Sequence, residues 1–296
     1  MSTDKVRCSF LKYPGSKRRL IPWLRSLIDT KEYDIWLEPF VGSCTVPMNF
    51  RAKKYILADI NPVLIDMYTR IRSGDITESS LKEYLVEESK KLQEGDQKYF
   101  LEVRDRYNKT KSAYDYIFLI HTCFNGAIRH NSKGDCNSTY CYERDRLKEK
   151  KISDILSKFR GFKEFLVSND IELVNASFDK VVSEFGSLLS EDSFVYCDPP
   201  YIGTACSYTK ENWNQGYEYT LKDTIDSLCQ KGIRFGVSNW NNENNDNPYI
   251  DTLWSSYNQY KTKKTFTVSS KSNIPVDEIL ITNIPEQETH LETFFY

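Results

Sequence analysis

The sequence predicts an α/β fold: an open parallel sheet flanked by helices and interrupted by a long helical insert. Three observations carry this. Apolar runs recur at 34–42, 55–59, 171–177, 194–198 and 233–238, three of them ending in a glycine or a carboxylate, with helix-period segments between most of them. That alternation builds βαβ units and a parallel sheet. Residues 77–165 break the pattern, being highly charged and mostly helical in period. With 296 residues, 40% of them hydrophobic, the chain can bury one large core, or one core plus an insert.

In order, Asp34-Ile-Trp-Leu-Glu-Pro-Phe-Val-Gly42 reads as a buried strand running into a glycine turn, and Ser43 to Arg51 as a short helix. Tyr55 to Asp59 is a second apolar strand ending in a carboxylate. Asn61 then caps a helix to about Arg72, with Pro62 in its first turn. Inside the helical stretch, Asn125 to Tyr142 holds Gly126, Gly134 and several asparagines, and reads as a loop or hairpin. Ile171–Ser177 is a strand, Asp179–Leu189 a helix, and Phe194–Asp198 a strand that stops at two prolines. Lys222–Lys231 is a helix and Ile233–Ser238 a strand. Thr262–Ser269 and Val276–Thr282 form a closing antiparallel pair, after a polar loop at Asn241–Asn247.

Charge narrows the function classes. The chain carries 40 basic and 42 acidic side chains, yet residues 1–25 hold seven basic residues against one acid, and residues 139–163 hold eight against four. Each patch is either a solvated face or a nucleic-acid surface. No apolar run is long enough to span a membrane, and Met1–Phe10 has no signal-peptide core, so a cytoplasmic protein is expected. Eight cysteines without a CxxC pair are expected to be free thiols; a zinc site from His121, His130, Cys136 and Cys141 matches no standard spacing.

The chemistry concentrates at Asp198-Pro199-Pro200-Tyr201, at the end of a buried strand, where open α/β sheets bind ligands. Two prolines remove two backbone donors. What faces the cleft is a carboxylate, a proline carbonyl and an aromatic ring. Such a corner can hold both N–H bonds of a ring-conjugated amine, turn its lone pair outward and stack the ring on Tyr201; a purely structural proline turn is the alternative. Glu38-Pro-Phe-Val-Gly42 places a glycine turn after the first strand, with Phe40 on it. Asp59 ends the second strand at the distance where such folds set a carboxylate on ribose hydroxyls. Phe178 can stack on an adenine ring or belong to the core. GxGxxG is absent, which disfavours a dinucleotide.

These pieces, in this order, resemble the Dam family of DNA adenine methyltransferases over about Phe10 to Asn283. Phe10-Leu-Lys-Tyr-Pro-Gly-Ser-Lys17, Glu38–Gly42, Ile56-Leu-Ala-Asp59-Ile-Asn61, Phe124-Asn-Gly-Ala-Ile-Arg129, Asp198–Tyr201 and Val276-Asp-Glu278 carry the likeness. Cys123–Gly126, Asn131–Gly134, Tyr196–Gly203 and Leu253–Ser256 are similar to the branch that modifies GATATC. The resemblance implies a Rossmann-like methyltransferase domain at 1–72 and 166–296, with a target-recognition insert at 73–165. It implies S-adenosylmethionine as cofactor, with Tyr13, Lys17, Phe40, Gly42, Asp59, Phe178 and Asp198 against it, and no metal. Asp198, Pro199, Pro200 and Tyr201 would act on a flipped adenine in duplex DNA. Lys12, Phe124, Asn125, Arg129 and Asn131 would meet the DNA, Arg129 reading a guanine or holding a phosphate. It further implies a bacterial or phage-infected host and a possible restriction endonuclease partner. The rival readings are methylation of cytosine, RNA adenine or protein glutamine, or a silent nucleic-acid-binding relative. Departures from the family are Cys44 in place of a second glycine, Ser177 in place of an acid, and Thr139 and Cys141 in place of a frequent Pro and Gly.

Overall fold

The computed structural model describes residues 5–142, 147–202, 213–241, 247–269 and 272–289. In chain order its elements are α1 (Ile21–Leu27), β1 (Glu32–Glu38), β2 (Arg51–Asp59), α2 (Pro62–Ser73), α3 (Glu78–Thr110), α4 (Ala113–Thr122), α5 (Glu149–Ser168), β3 (Asp170–Asn175), α6 (Phe178–Phe185), β4 (Phe194–Cys197), α7 (Gln215–Gln230), β5 (Arg234–Asn241), β6 (Asn258–Ser269) and β7 (Ser272–Thr282). The strands form one sheet in the order β3-β2-β1-β4-β5-β7-β6. The first five run parallel, and β7 and β6 close the edge antiparallel, as the sequence suggests. This is the expected Rossmann-like α/β layout. Strand order reverses between β1 and β4, so a crevice opens beyond their carboxyl ends.

Both faces of the sheet are covered, which is why its strands read as continuous apolar runs. Alternate residues feed two cores. Trp36, Tyr55, Leu57, Phe194 and Tyr196 face one, shared with α3, α4 and α5. Leu37, Ile56, Ala58, Val195 and Val237 face the other, under α6 and α7. The indole of Trp36 is stacked between Phe50 and Phe194, with ring centroids 4.7 and 4.9 Å away.

Helix α2 follows its local signals closely. Asn61 Oδ1 accepts the Val63 and Leu64 amides, Pro62 opens the helix, and Gly74 ends it at φ 91°. The short helix expected over Ser43–Arg51 is absent: only a 3₁₀ turn, Pro47–Asn49, forms there. Gly42 and Cys44 stand at φ 44° and 60°, outside helical space. Asn49 competes with helical bonding, its side chain bonding Arg7 through both the backbone N–H and carbonyl, and the Thr45 carbonyl. Other limits shift: β2 starts at Arg51, β3 ends at Asn175, α6 ends at Phe185, and α7 begins at Gln215. The expected polar loop at Asn241–Asn247 lies mostly outside the described residues.

The insert is a helical layer. Arg106 joins α3 to α4, donating to Glu88 at 2.8 Å and Asp115 at 2.6 Å, while Tyr84 donates to Asp115 at 2.6 Å. Helix α3 kinks at Asp96, and α5 runs unbroken through the expected boundary at 165/166 into β3. Asn125–Tyr142 is an irregular hairpin, with isolated bridges Cys123–Tyr140 and His130–Cys136. No helix among the described residues is long and apolar enough to cross a membrane.

Candidate active site at the ends of β1 and β4

Asp198 follows β4 directly. Its Oδ2 accepts a hydrogen bond from Lys17 Nζ at 2.8 Å, across 181 positions of chain. The lysine side chain is only 4% exposed, the carboxylate 22%. Burial works against the Lys17 ammonium, but Asp198 and Glu278 outweigh it and raise its pKa. The Tyr201 hydroxyl lies 3.2 Å from Asp198 Oδ1 and 3.0 Å from Glu278 Oε2. Burial, and then those two carboxylates, push its phenol well above the usual value, so Tyr201 stays protonated. The Tyr201 ring has Lys17 Nζ 5.3 Å from its centroid on one contact and the Trp240 ring 5.8 Å away on another. Pro199 and Pro200 contribute no N–H, so the corner is rich in acceptors.

The other half of the crevice is built on the turn after β1. Gly42 donates its amide to Asp59 Oδ2 at 3.0 Å, and Asn61 donates to Asp59 Oδ1 at 2.9 Å. Burial raises the Asp59 pKa to about 6, against the pull of those two amides. A carboxylate has about four lone-pair sites, so two amides leave room for hydroxyl donors. Tyr13 lies over the glycine: a Cβ at position 42 would sit 3.3 Å from its ring. Cys44, which replaces a frequent family glycine, turns inward and is fully buried in the core. Phe40 and Phe178 stack at 5.3 Å, and Trp213 meets them at 5.7 and 5.8 Å. Phe178 is 6% exposed, whereas Phe40 and Trp213 are half-buried, so the accessible aromatic surface belongs to the latter two.

A second group of expected residues lies on the insert and on the N-terminal segment packed against it. Lys12, Phe124, Asn125 and Arg129 are exposed, Phe124 by 51%. Gly126 is pressed on the Lys12 backbone, which brings Phe124 and Asn125 near Lys12; a Cβ at position 126 would come within 2.0 Å of the Lys12 carbonyl. Asn125 sits at φ 55°, a conformation Asn tolerates better than most residues. The Arg129 amide is pinned to Ser138 Oγ at 2.8 Å, leaving its side chain outside. Asn131 is half-buried, and its Oδ1 closes a turn by accepting the Lys133 and Asp135 amides.

Glu278, Trp213 and Trp240 join the site without having been assigned a role from the sequence. Glu278 had a signal: an acid in the apolar run of a buried strand. Among the described residues no three His, Cys, Asp or Glu side chains gather as a metal site, and the described cysteines are free. Cys136, a candidate zinc ligand, contacts Ser138 Oγ instead.

Residues 13–268 match the family model described as D12 class N6 adenine-specific DNA methyltransferase. The chain belongs to this family. It is 28% identical to the type II methyltransferase M1.LlaDCHI of Lactococcus lactis subsp. cremoris, over 93% of this chain and 94% of that one. It is 30% identical to the type II methyltransferase M.FokI of Planomicrobium okeanokoites, over 95% of this chain but 43% of that longer one. It is 29% identical to the type II methyltransferase M.MjaIII of Methanocaldococcus jannaschii, over 93% and 98% of the two chains. The enzyme is an N6-adenine DNA methyltransferase, and its methyl donor is S-adenosylmethionine. The crevice fits that donor. The turn at Gly42 has no side chain of its own, Asp59 offers acceptors, and the carboxyl groups of Asp198 and Glu278 with the single ammonium of Lys17 suit a positively charged sulfonium.

Proposed function

We propose that the enzyme is a Dam-like, site-specific methyltransferase that flips an adenine out of duplex DNA into the corner formed by Asp198, Pro199, Pro200 and Tyr201. The observation that carries this reading is the Lys17–Asp198–Tyr201–Glu278 chain of contacts beside the Gly42–Asp59 turn. Asp198 and the Pro199 carbonyl accept the two N–H bonds of the adenine amine, which turns its lone pair toward the donor. Tyr201 lies under the base; its hydroxyl is tied to two carboxylates, so the ring is fixed before the base arrives. Pre-fixed groups lower the barrier by saving reorganisation. Lys17 keeps Asp198 aimed. Bound S-adenosylmethionine supplies an already activated methyl group, so no metal is required. Tyr13, Gly42 and Asp59 hold its polar parts, and Phe40, with Phe178 behind it, supports the adenine ring.

In this reading residues 1–72 and 166–296 form the catalytic domain and 73–165 the recognition insert, with Lys12, Phe124, Asn125, Arg129 and Asn131 toward the DNA. The shared surface made by Gly126 and Lys12 supports it. The site is of GATATC or GATC type. The type II relatives support a cognate restriction endonuclease acting at the same sequence in the cytoplasm of a bacterial or phage-infected cell. Methylation-aware sequencing of DNA from cells expressing the chain tests base and site together. N6-methyladenine should appear at one short motif and vanish with Asp198→Ala. A folded Asp198→Ala enzyme retaining more than about a tenth of the rate, a loss below ~1.4 kcal/mol, would refute the role of Asp198.

A further inference from the structure

Behind the aromatic wall lies a carboxylate that the roles above leave unused. Glu218, in the first turn of α7, is 1% exposed. Its Oε2 accepts from Trp213 Nε1 at 2.7 Å. Its Oε1 accepts from Trp254 Nε1 at 2.9 Å and Asn239 Nδ2 at 3.4 Å. A buried carboxylate is tolerated only when its lone pairs are used, and three N–H donors use them here. Trp254 is fully buried and Asn239 is 2% exposed, so the Oε1 side is anchored in the core. Trp213 differs. It precedes the Asn214 cap of α7, outside any helix or strand, and is half-buried. Its ring packs on Phe40, Phe178 and Tyr217, and its indole N–H is bound to Glu218.

We propose that Glu218 is a positioning residue for the cofactor: it holds the Trp213 indole against Phe40 and Phe178 as the third wall of the adenosine pocket. The inference rests on the cofactor placement given above. Stacking surfaces help a ligand most when they are fixed before binding. Glutamine at position 218 keeps the shape but offers one acceptor oxygen and one NH₂ donor group. One of the two tryptophan N–H groups must then face a donor. Trp254 is locked in the core, so Trp213 gives way.

The test uses the full-length enzyme and S-adenosylmethionine itself, in calorimetry, steady-state kinetics and thermal melting. Glu218→Gln should raise both Kd and KM for S-adenosylmethionine about five- to tenfold, the loss expected for one charge-assisted hydrogen bond acting indirectly. The kcat at saturating cofactor should change less than about twofold, a split that general destabilisation would not produce. Trp213→Phe removes the opposed N–H, so adding Glu218→Gln to it should cost less than about twofold more. A folded Glu218→Gln enzyme with wild-type cofactor affinity overturns the proposal. So does an undiminished effect in the Trp213→Phe background. Should Glu218→Gln fail to fold, Trp213→Leu decides: cofactor affinity should fall about tenfold, and an unchanged value overturns the proposal. Wild-type enzyme that takes up no S-adenosylmethionine would instead refute the cofactor placement, a separate outcome.

Discussion

In the proposed reading Asp59 ties cofactor binding to a cost in stability, and replacing it with asparagine should separate the two. Burial lifts its pKa from 3.8 to about 6. A carboxyl whose pKa rises on folding favours its protonated form in the folded state. Folding is therefore hindered once pH is high enough to ionise it, and the hindrance fades as pH falls from about 6 toward 4. A rise of about two units corresponds to roughly 3 kcal/mol of destabilisation at pH 8. Asparagine removes that charge but leaves one of the two bound amides, from Gly42 or Asn61, without an oxygen, a loss of ~1–1.5 kcal/mol. Urea unfolding of Asp59→Asn should thus show a gain of ~1–2 kcal/mol over wild type at pH 8, and a loss at pH 4.5. Calorimetry should show the opposite for function: S-adenosylmethionine affinity lower by about tenfold or more, since the ribose hydroxyls lose a charged acceptor worth ~1.5–3 kcal/mol. Wild-type affinity should also weaken as pH drops below about 6, by up to tenfold per unit, because only the ionised carboxylate gives that bond. Asparagine should flatten this slope. A variant less stable than wild type at pH 8, or a wild-type affinity flat between pH 5 and 8, would show that Asp59 is not a strained, ionised ribose acceptor.

Glu278→Gln should lower kcat about tenfold (~1.4 kcal/mol) with little change in cofactor Kd, because the carboxylate orients Tyr201 and adds negative charge to the corner; an unaltered kcat in single-turnover assays would exclude it from the site. Arg129→Ala should cost ~1–3 kcal/mol on the cognate site and relax one guanine position; a uniform drop across all single-base site variants would instead make it a phosphate contact. Gly126→Ala should impair DNA binding, since its Cβ would overlap the Lys12 carbonyl and φ 71° strains any side chain. Cognate-DNA affinity equal to wild type, measured by fluorescence anisotropy, would dissociate Lys12 from the hairpin surface.

Much of the sheet was legible because strands covered on both faces leave long apolar runs, and because their ends carry Gly42, Asp59 and the Asp198 corner. The Ser43–Arg51 segment was not. Its side chains suit a helix, but its course is set by Asn49 bonding to Arg7, 42 positions away. Phe178 was found as an aromatic at a strand end, yet its accessible face is largely taken by Phe40 and Trp213, which only packing reveals. Glu278, Trp213 and Glu218 acquire meaning from pairings that the fold creates, 77 positions in the case of Tyr201 and Glu278. Glu278 left a trace as an acid in an apolar strand, but no local pattern distinguishes Trp213 or Glu218 from ordinary core or helix-start residues.

The N-terminal segment joins the hairpin surface to the crevice. Lys12 lies against Gly126 on the hairpin surface, Tyr13 covers Gly42 on the turn after β1, and Lys17 grips Asp198 at the end of β4. Five residues of chain span at most about 17 Å, so all three places are within reach of one short segment. Its middle, Pro14-Gly15, includes a glycine at φ 77° that turns the chain sharply, and Lys17 Nζ returns to the Gly15 carbonyl at 2.9 Å. The segment is therefore a fixed bracket and not a loose arm. In the proposed reading, a shift of Lys12 on DNA binding would act on Tyr13 and Lys17, and so on the cofactor turn and the aim of Asp198. By linkage, a bound cofactor would then favour the same DNA-bound arrangement.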